Sequence, residues 1–462
     1  MPERPGITRY AAYLPLHYLD DTRLGAQAPG GPGRRARSVA NHDEDALTMA
    51  VEVGSHLGSS VDAASSLLLA TTSAPYVGRT AATLVHEALG AAASQRAIDL
   101  AGHRSGFAAL DLALGTGALA IATDTRTTRV GAPDELGQGD AAVAFLGGEP
   151  LAATLEGSGS ATVELLDRWR LPGEVHERTW DERFTAEVLV EAARTAVTAA
   201  LAEAGVERPT TVVVSSTNPR AAATLRKLLG SDGADARVEA STGFTGAAHP
   251  GLLLADALDR AAPDETVLLV SAADGADAWL LRVGEQIAAT RSGPSVADQL
   301  ARRRAVGYGD FLRWRGLLDV QGPARPASAA PAAPPMHRRR GWKYRLEAVR
   351  CVECSTVTAP PGKACSGCGS ITPGKPELLH DAEVRVVSVT QDLLTTMPVP
   401  AVAVVIADVD GGGRLSGYAT DVDADDVVVG GRMRPTFRRM WTTDGIHNYF
   451  WKLRPVEGDD VD

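Results

Sequence analysis

The segments ALAIATDTRT, residues 118–127, and GQGDAAVAFLGG, residues 137–148, decide the fold that this sequence predicts. Each contains a continuous apolar run, which is the pattern of a buried strand that helices cover on both faces. A strand, an ATDT turn, a glycine-rich return and a second strand follow one another in order. The two segments therefore predict strands in the interior of an α/β domain.

An internal repeat extends this prediction to both sides of these segments. Residues 67–90 and 212–230 each run from an apolar stretch through small hydroxyl residues and a proline into a helix that carries A-A-T-L and ends in L-G. Two further pairs follow in the same order: 97–114 with 238–258, and 118–148 with 266–284. Each half then predicts strand, helix, strand, helix, strand, strand, and two packed halves predict a five-layer α/β/α/β/α architecture. The alternative is a chance match between stretches rich in Ala and Leu.

The composition of the 462 residues argues against several classes of protein. Only 5% of the residues are aromatic, which suits tightly packed α/β layers better than a β-sandwich. The formal net charge of −11 argues against nucleic acid as a partner. The sequence has no run of about 18 apolar residues, so we expect no membrane helix. The start, MPERPGITRYAAYLPL, has no signal-peptide pattern, and we expect a cytoplasmic protein.

All four cysteines of the chain stand in one cluster, at Cys351, Cys354, Cys365 and Cys368. Two CxxC pairs at this spacing can hold one zinc ion tetrahedrally, and a closed shell of four thiolates makes the metal structural rather than catalytic. Redox thiols are the alternative. Cysteines that are committed to a metal suit a reducing cytoplasm.

Changes in composition predict the domain boundaries. From about residue 318 to 337 Pro and Ala dominate, which predicts an extended linker after the aromatic, amphipathic segment 308–318. Five short strands between 381 and 455 predict a small barrel of the OB type. The predicted domains are two α/β halves at 1–160 and 161–300, an amphipathic segment and linker at 301–340, a zinc ribbon at 341–378 and a barrel at 379–462.

The N-terminal 290 residues resemble the thiolase superfamily, and within it 3-hydroxy-3-methylglutaryl-CoA (HMG-CoA) synthase and ketoacyl-ACP synthase III. The stretches ATTS with TAATLVHEALG, SGFAAL, and ATDTRT with GQGDAAVAFL carry this resemblance. WKY, the paired CxxC motifs and FRR…DGIHNYFWK make residues 308–456 similar to the zinc-ribbon plus OB-fold family that accompanies acyl-CoA thiolases and synthases. The resemblance implies a CoA or acyl-carrier thioester as substrate, C–C bond formation or cleavage or acyl transfer, and a homodimer.

The catalytic positions that the resemblance implies are replaced in this chain. Family members use a cysteine thiolate as nucleophile, with histidine and with asparagine or glutamate. Arg104 stands at the cysteine position, Thr72 at the glutamate and Ser215 at the histidine. Thr242, or Phe244 if the alignment shifts, stands at the asparagine. Arginine cannot act as an acyl nucleophile at neutral pH, so the triad is degenerate and the cysteine route is closed to this chain alone.

The loop of residues 103–106 is the candidate catalytic site. Arg104 would bind a carboxylate or thioester oxygen, while His103 would act as a base and Ser105 as a nucleophile. The structural alternative places Arg104 in a salt bridge, Ser105 at a helix cap and His103 in the core. Ser215 and His249 are further catalytic candidates, with helix capping and helix-start packing as their alternatives.

Two arginine runs, 302–304 and 338–340, flank the predicted linker. A solvated charged surface is the ordinary interpretation of such runs. The alternative is that they contact the phosphates of CoA.

Two functions remain open at this point. The chain would be an enzyme that acts on acyl thioesters without a cysteine acyl-enzyme, and retro-aldol cleavage fits best because it needs a general base only. Alternatively, it would be a non-catalytic scaffold in a hetero-complex with a separate, cysteine-bearing thiolase-family protein. A pocket that reaches Arg104 from the surface favours the enzyme, and a sealed pocket favours the scaffold.

Overall fold

A computed structural model describes residues 4–24, 35–321, 329–410 and 412–456 of the chain. Part of the predicted linker, residues 322–328, lies outside the described residues. The chain divides into two compact units. Unit 1 comprises Met1–Ala40, Asp45–Val85 and Ala91–Phe311, and unit 2 comprises Asn41–Glu44, His86–Gly90 and Leu312–Asp462.

The first half of unit 1 alternates strands and helices as the repeat predicts. Its elements are β1 (Gly6–Tyr13), β2 (His17–Asp20), α1 (Asp21–Leu24), β3 (Ala36–Val39), α2 (Ala46–Ser55), α3 (Ser60–Ala63), β4 (Ser66–Ala70), α4 (Ala82–Ala88), β5 (Arg96–Leu100), α5 (Ser105–Thr116), β6 (Leu119–Asp124), β7 (Ala141–Gly148) and β8 (Ala153–Thr162). A short 3₁₀ turn, Glu135–Gly137, precedes β7.

The second half begins with a small hairpin and continues with longer elements. These are β9 (Arg168–Trp169), β10 (Arg178–Thr179), α6 (Glu182–Ala204), β11 (Thr211–Ser216), α7 (Pro219–Leu229), α8 (Ala234–Thr242), α9 (His249–Arg260), β12 (Thr266–Ala272), β13 (Gly275–Val283), α10 (Ile287–Thr290), α11 (Val296–Ala301), β14 (Arg304–Ala305) and α12 (Tyr308–Trp314). A 3₁₀ turn, Gly246–Ala248, leads into α9.

Nine strands of unit 1 form one continuous sheet in the order β11-β12-β13-β8-β1-β7-β6-β4-β5. The two segments that decided the fold are its strands β6 and β7, which pair antiparallel from Leu119 opposite Leu146 to Asp124 opposite Ala141. A short antiparallel pairing of β1 with β8, through Gly6 opposite Thr154 and Ile7 opposite Ala153, makes the sheet continuous.

Helices cover the sheet of unit 1 in layers. The two inner helices, α5 and α9, share one core with strands of both halves, through residues such as Leu110, Leu253, Val143 and Leu269. Helix α6 packs with α7 on β11, β12 and β13 in a second core, and α2 packs against β6 and β7. This arrangement confirms the predicted thiolase-type α/β/α/β/α fold.

One strand that the repeat predicts is missing from the second half. Residues 238–242 belong to helix α8, where the first half has strand β5. Asp235 and Glu239, one helical turn apart, both bond the guanidinium of Arg226 on α7. The helical period places both carboxylates on one face, which a strand would not do.

Unit 2 contains short helices, a three-stranded ribbon and a five-stranded barrel. Its elements are α13 (Ala333–Arg338), α14 (Arg340–Arg345), β15 (Glu347–Arg350), β16 (Val357–Thr358), β17 (Lys375–Leu378), β18 (Val384–Asp392), β19 (Val402–Val409), β20 (Arg414–Tyr418), β21 (Arg432–Thr443) and β22 (Ile446–Pro455). The ribbon has the order β16-β15-β17 and the barrel sheet the order β20-β19-β18-β21-β22. A parallel bridge between Ala419 and Leu453 joins the two edges of this sheet, as expected for a small closed barrel.

Candidate functional site

The loop that precedes α5 carries Arg104, the residue that the resemblance places at the family's cysteine position. Arg104 is the N-cap residue of α5 and makes no side-chain cap bond. Two residues on, Gly106 lies where a Cβ atom would come 1.9 Å from the carbonyl oxygen of Ala247. Only glycine allows this close approach between α5 and the turn before α9, so the family's C-x-G pattern keeps its glycine here for a packing reason.

Arg104 forms a salt bridge with Asp277 on strand β13. Its Nε donates to Oδ2 of Asp277 at 2.7 Å and its Nη2 donates to Oδ1 at 2.7 Å. Nη1 donates to Thr162 at 2.8 Å and Nη2 also donates to Ser160 at 2.7 Å. Four of the five guanidinium N–H groups are thereby used. The arrangement is the one that the structural alternative for Arg104 described.

A cavity of about 840 Å³ lies elsewhere in unit 1, and neither Arg104 nor His103 lines it. Its walls include Thr72 after β4, Arg126 after β6, and Ser216 at the end of β11. The β9–β10 hairpin contributes Arg168 and Glu177. Arg104 is therefore not among the residues that this cavity reaches.

The carboxylate of Glu177 contacts several basic side chains at the cavity wall. Its carboxylate pairs with Nη2 of Arg126, with Nη1 of Arg168 at 3.3 Å and with Nε2 of His103 at 3.6 Å. Burial alone would raise the pKa of Glu177, but the neighbouring Arg126, His103 and Arg168 outweigh it and lower this pKa to about 2. Burial also lowers the pKa of His103, against the opposing effect of Glu177. Glu177 is therefore ionised at pH 7.

Glu177, Arg126 and Arg168 were not among the site residues predicted from the sequence. Arg126 stands inside the first quoted segment. Its position just after a buried strand was the one feature of the sequence that could have indicated a site residue. Its side chain is 5% exposed, and it also bonds Gln138 and Thr72. Glu177 lies in a connection without a recognisable motif, so only the fold reveals that it reaches Arg126.

Asp124 binds the turn that follows β4. It accepts hydrogen bonds from Thr71, from Ser73, and from both the backbone N–H and the hydroxyl of Thr72, all between 2.7 and 2.9 Å. It also accepts from the N–H of Ala247 at 2.7 Å. Thr72, at the family's glutamate position, is thereby part of a structural network.

His249 is completely buried at the start of α9. Its Nδ1 lies 3.3 Å from both the N–H and the hydroxyl of Thr245, and its ring packs on Phe244 with centroids 4.8 Å apart. Burial lowers the pKa of His249 to about 4. Within the described part of the chain, its Nε2 and the Oγ of buried Ser105 have no hydrogen-bond partner. Thr242, at the family's asparagine position, donates to the carbonyl of Val238 inside α8.

Ser215 is the penultimate residue of strand β11 and is buried, with 2% exposure. The residues after it cap α7: the side chain of Asn218 accepts from the N–H groups of Arg220 and Ala221, and its amide donates to Thr185 at 2.8 Å. This is the arrangement that the capping alternative describes.

The four cysteines come together at one end of unit 2. All four sulfur atoms lie within 4.8 Å of one another, with Cys351 3.7 Å from Cys368 and Cys354 3.6 Å from Cys365. A regular tetrahedron of thiolates at about 2.3 Å from zinc has edges of roughly 3.8 Å. Backbone N–H groups also point at the sulfurs of Cys351 and Cys365. The donor set and its spacing fit a structural metal ion.

A basic cavity of about 610 Å³ lies in unit 2. It is lined by Arg338, Arg339, Arg340 and Arg345 together with Trp342, Glu87 and Glu347. Of the other arginine run, Arg303 donates to the carbonyl of Ser241 at 2.6 Å and lies over the ring of Tyr18. Five of the six arginines in the two runs are exposed and Arg303 is partly buried, which agrees with the ordinary interpretation of such runs as a solvated charged surface.

A buried ionic network fixes the segment Asn41–Glu44 within unit 2. Lys452 pairs with Asp43 at 2.8 Å, and Arg438 pairs with Asp421 at 2.8 Å and with Glu44 at 3.2 Å. The side chains of all five residues are at most 3% exposed. Burial alone would raise the pKa of Asp43, but Lys452, His42 and Arg438 lower it far below its usual range.

None of the helices in the described residues has the length and apolar character needed to cross a bilayer.

Comparisons with known proteins agree with this geometry, although no protein-family model matches the chain. A hydroxymethylglutaryl-CoA synthase of Thermococcus sibiricus is 29% identical over 336 residues, which are 67% of this chain and 96% of that protein. A DUF35 domain-containing scaffold protein of Methanocaldococcus jannaschii is 29% identical over 132 residues, which are 26% of this chain and 90% of that protein. A solved structure of MvaS in complex with 3-hydroxy-3-methylglutaryl coenzyme A superposes with a TM-score of 0.59 at 20% identity, over 72% of this chain and 95% of that one.

Two kinds of relative therefore match this chain. The synthase-like match accounts for about two thirds of the chain, and the scaffold-like match accounts for about a quarter of it. The chain is a thiolase-fold protein whose larger part resembles hydroxymethylglutaryl-CoA synthases, joined to a cysteine-cluster and barrel domain that resembles a DUF35 scaffold protein.

Proposed function

We propose that this chain is a non-catalytic subunit of acyl-thioester C–C bond chemistry, which supports a separate, cysteine-bearing thiolase-family enzyme. The salt bridge of Arg104 carries the proposal. With four of its N–H groups bonded to Asp277, Ser160 and Thr162, the guanidinium at the nucleophile position has little capacity left to bind a thioester oxygen.

The other replaced positions support a structural role. Thr72 bonds Asp124, Thr242 bonds the backbone of its own helix, and Ser215 lies within a buried strand. Each of these side chains has a packing or hydrogen-bonding task where the family has a catalytic one. Losing several chemical positions together is what a relaxed catalytic constraint produces.

The relatives supply the chemical setting. One is named as a hydroxymethylglutaryl-CoA synthase and the other as a scaffold protein. We infer that the chain works with CoA or acyl-carrier thioesters in the cytoplasm, that it forms the family's homodimer, and that unit 2 provides the tether to the partner enzyme. We also infer that zinc occupies the cysteine cluster, where four thiolates would hold it without a catalytic coordination site.

A second candidate function rests on the 840 Å³ cavity of unit 1. A space of this size suits a drug-sized ligand. In this alternative the chain cleaves or joins C–C bonds of an acyl thioester by general base catalysis, with His103 as the base. His103 lies behind the cavity wall, and its Nε2 is 3.6 Å from the carboxylate of the cavity-lining Glu177. The alternative needs no cysteine acyl-enzyme, and Arg104 would keep its structural place.

Complex formation tests the scaffold proposal. The full-length chain is mixed with a cysteine-bearing thiolase-family enzyme of the same organism, and native mass spectrometry measures the stoichiometry and the bound zinc. We expect a defined hetero-complex that contains one zinc per chain of this protein. A chain that stays separate from every such enzyme over micromolar concentrations contradicts the proposal.

A further inference from the structure

The basic cavity of unit 2 differs in charge from the chain as a whole. The formal net charge of the 462 residues is −11, whereas the stretch RRRGWKYR, residues 338–345, contains five basic side chains and no acidic one. All four arginines of this stretch line the cavity, and Arg338, Arg339 and Arg340 are exposed. A patch whose charge is opposite to that of the whole chain attracts and orients an anionic partner.

The guanidinium groups of the cavity are only partly used by the chain itself. Arg340 has a loose contact with Glu87, at 3.9 Å, and its side chain is 58% exposed. Arg338 and Arg339 pair with no carboxylate among the described residues. Arg345 donates through Nη2 to a backbone carbonyl at 2.7 Å, but its buried Nε has no hydrogen-bond partner within the described ranges. The cavity therefore presents donors that an acceptor from another molecule can bind.

Helix α14, which carries most of the basic stretch, is fixed on the barrel of unit 2. The ring of Trp342 packs on Phe450 of β22 with centroids 5.5 Å apart. The indole N–H of Trp451 donates to the carbonyl of Tyr344 at 2.9 Å. Trp342 also lines the cavity. Tryptophan and arginine are enriched among the residues that dominate binding at protein interfaces, and a surface that is already fixed loses less entropy on binding.

The distribution of charge in the cavity favours a segment of polypeptide over a compact polyphosphate. The carboxylates of Glu87 and Glu347 line the same cavity as the arginines. Glu347 lies beside the start of α14, since a Cβ atom at Gly341 would be 2.7 Å from its Oε2. A polyphosphate concentrates several negative charges in a small volume, so these carboxylates repel it. An acidic peptide distributes single charges along its length and can place each of them beside one arginine.

We propose that this cavity is the docking surface for an acidic segment of the partner enzyme, whose Asp or Glu side chains pair with Arg338, Arg339 and Arg340 while Trp342 supplies an apolar contact. The inference rests on the proposed function, because it identifies the contact through which unit 2 would tether that enzyme. Exposed charge pairs of this kind mainly accelerate association and select the partner, and salt screens them. Binding should therefore weaken as the ionic strength rises.

Binding of the full-length chain to a cysteine-bearing thiolase-family enzyme of the same organism tests the docking surface. Biolayer interferometry compares the wild type, Arg339→Glu and the control Arg385→Glu, which reverses an exposed arginine of unit 2 outside the cavity lining. We expect Arg339→Glu to weaken the complex about 10-fold or more, and about 500 mM NaCl in place of about 50 mM to do the same to the wild type. Arg385→Glu should bind as the wild type does. A complex that Arg339→Glu or salt does not weaken, or that Arg385→Glu weakens equally, overturns the docking surface and leaves the scaffold proposal standing.

A peptide assay decides the case in which no hetero-complex forms, a result that by itself overturns the scaffold proposal. Fluorescence anisotropy measures binding of fluorescein-labelled hexaglutamate to the full-length chain, with labelled hexaglutamine as the control peptide. We expect the wild type to bind hexaglutamate about 10-fold or more tightly than hexaglutamine, and Arg339→Glu to lose this preference. Equal binding of the two peptides overturns the docking surface, as does tighter binding of inorganic pyrophosphate than of hexaglutamate in calorimetric titrations.

Discussion

Arg104, at the N-terminus of α5, and Asp277, on β13, are joined by two hydrogen bonds of 2.7 Å each. The pair links an inner helix of the first half to the sheet of the second half. Its side chains are 23% and 11% exposed, so water screens it only in part. The residue that the resemblance places at the family's nucleophile position is thus a structural connection between the two halves.

Removing Arg104 is expected to destabilise the protein. Arg104→Ala leaves the Asp277 carboxylate without its partner and should lower the free energy of unfolding by about 3 kcal/mol. Arg104→Ala combined with Asp277→Ala should recover part of this loss, because no unpaired carboxylate remains. Urea unfolding of the four proteins of the cycle measures the coupling. A single-variant effect below about 0.5 kcal/mol would show that the bridge contributes nothing structural.

The protein should bind zinc through the cysteine cluster of unit 2. Cys354→Ser removes one thiolate and should abolish zinc retention, because the site needs four ligands. Elemental analysis after dialysis against a chelator measures the zinc content. Val352→Ser is the control, since Val352 is exposed and lies between two of the cysteines without being a ligand. Retained zinc in Cys354→Ser, or loss in Val352→Ser, contradicts the assignment.

Acid should destabilise unit 1 through His249. The pKa of His249 is about 4 in the folded protein, below the ordinary value of about 6.5. The unfolded chain therefore binds the proton first, and stability falls as the pH drops from about 6.5 to 4. Between pH 7 and pH 5 the wild type should lose about 2 kcal/mol more than His249→Gln does. Urea unfolding at both pH values tests this, and parallel losses in the two proteins would contradict it.

Substitutions in the buried ionic network of unit 2 should strongly lower the free energy of unfolding. Asp43→Ala leaves Lys452 and Arg438 buried with less negative charge around them, and we expect a loss of about 3–5 kcal/mol in the free energy of unfolding. Asp423→Ala removes an exposed carboxylate of the same unit and should change stability by less than about 0.5 kcal/mol. Chemical denaturation monitored by tryptophan fluorescence compares the two variants. Similar stabilities would show that the network is dispensable.

Much of the fold could be predicted from local patterns. Continuous apolar runs such as those of β6 and β7 allow few alternatives to buried strands, and the spacing of Cys351 to Cys368 predicted the sulfur cluster directly. The prediction was wrong at residues 238–242, where the repeat suggested a strand and the structure has helix α8. There the ion pairs of Asp235 and Glu239 with Arg226 stabilise a helix, and such contacts across elements leave no local pattern.

The site was less predictable for the same physical reason. The resemblance placed Arg104 at the nucleophile position, but only the fold shows that Asp277 faces it from 173 residues away. Glu177 likewise meets Arg126 across 51 residues and without a motif. Long-range pairing of charged side chains depends on the packing of the sheet, so it could not be inferred from spacing.

Turnover by the isolated chain tests the central claim most directly. The purified full-length protein is incubated with acetoacetyl-CoA, acetyl-CoA or HMG-CoA, and the CoA species are quantified by liquid chromatography with mass spectrometry. The same assay is repeated with an equimolar cysteine-bearing thiolase-family enzyme, using wild type and His103→Ala. We predict no turnover by the chain alone, and turnover in the mixture that His103→Ala leaves unchanged. Turnover by the chain alone that falls with His103→Ala would contradict a non-catalytic role.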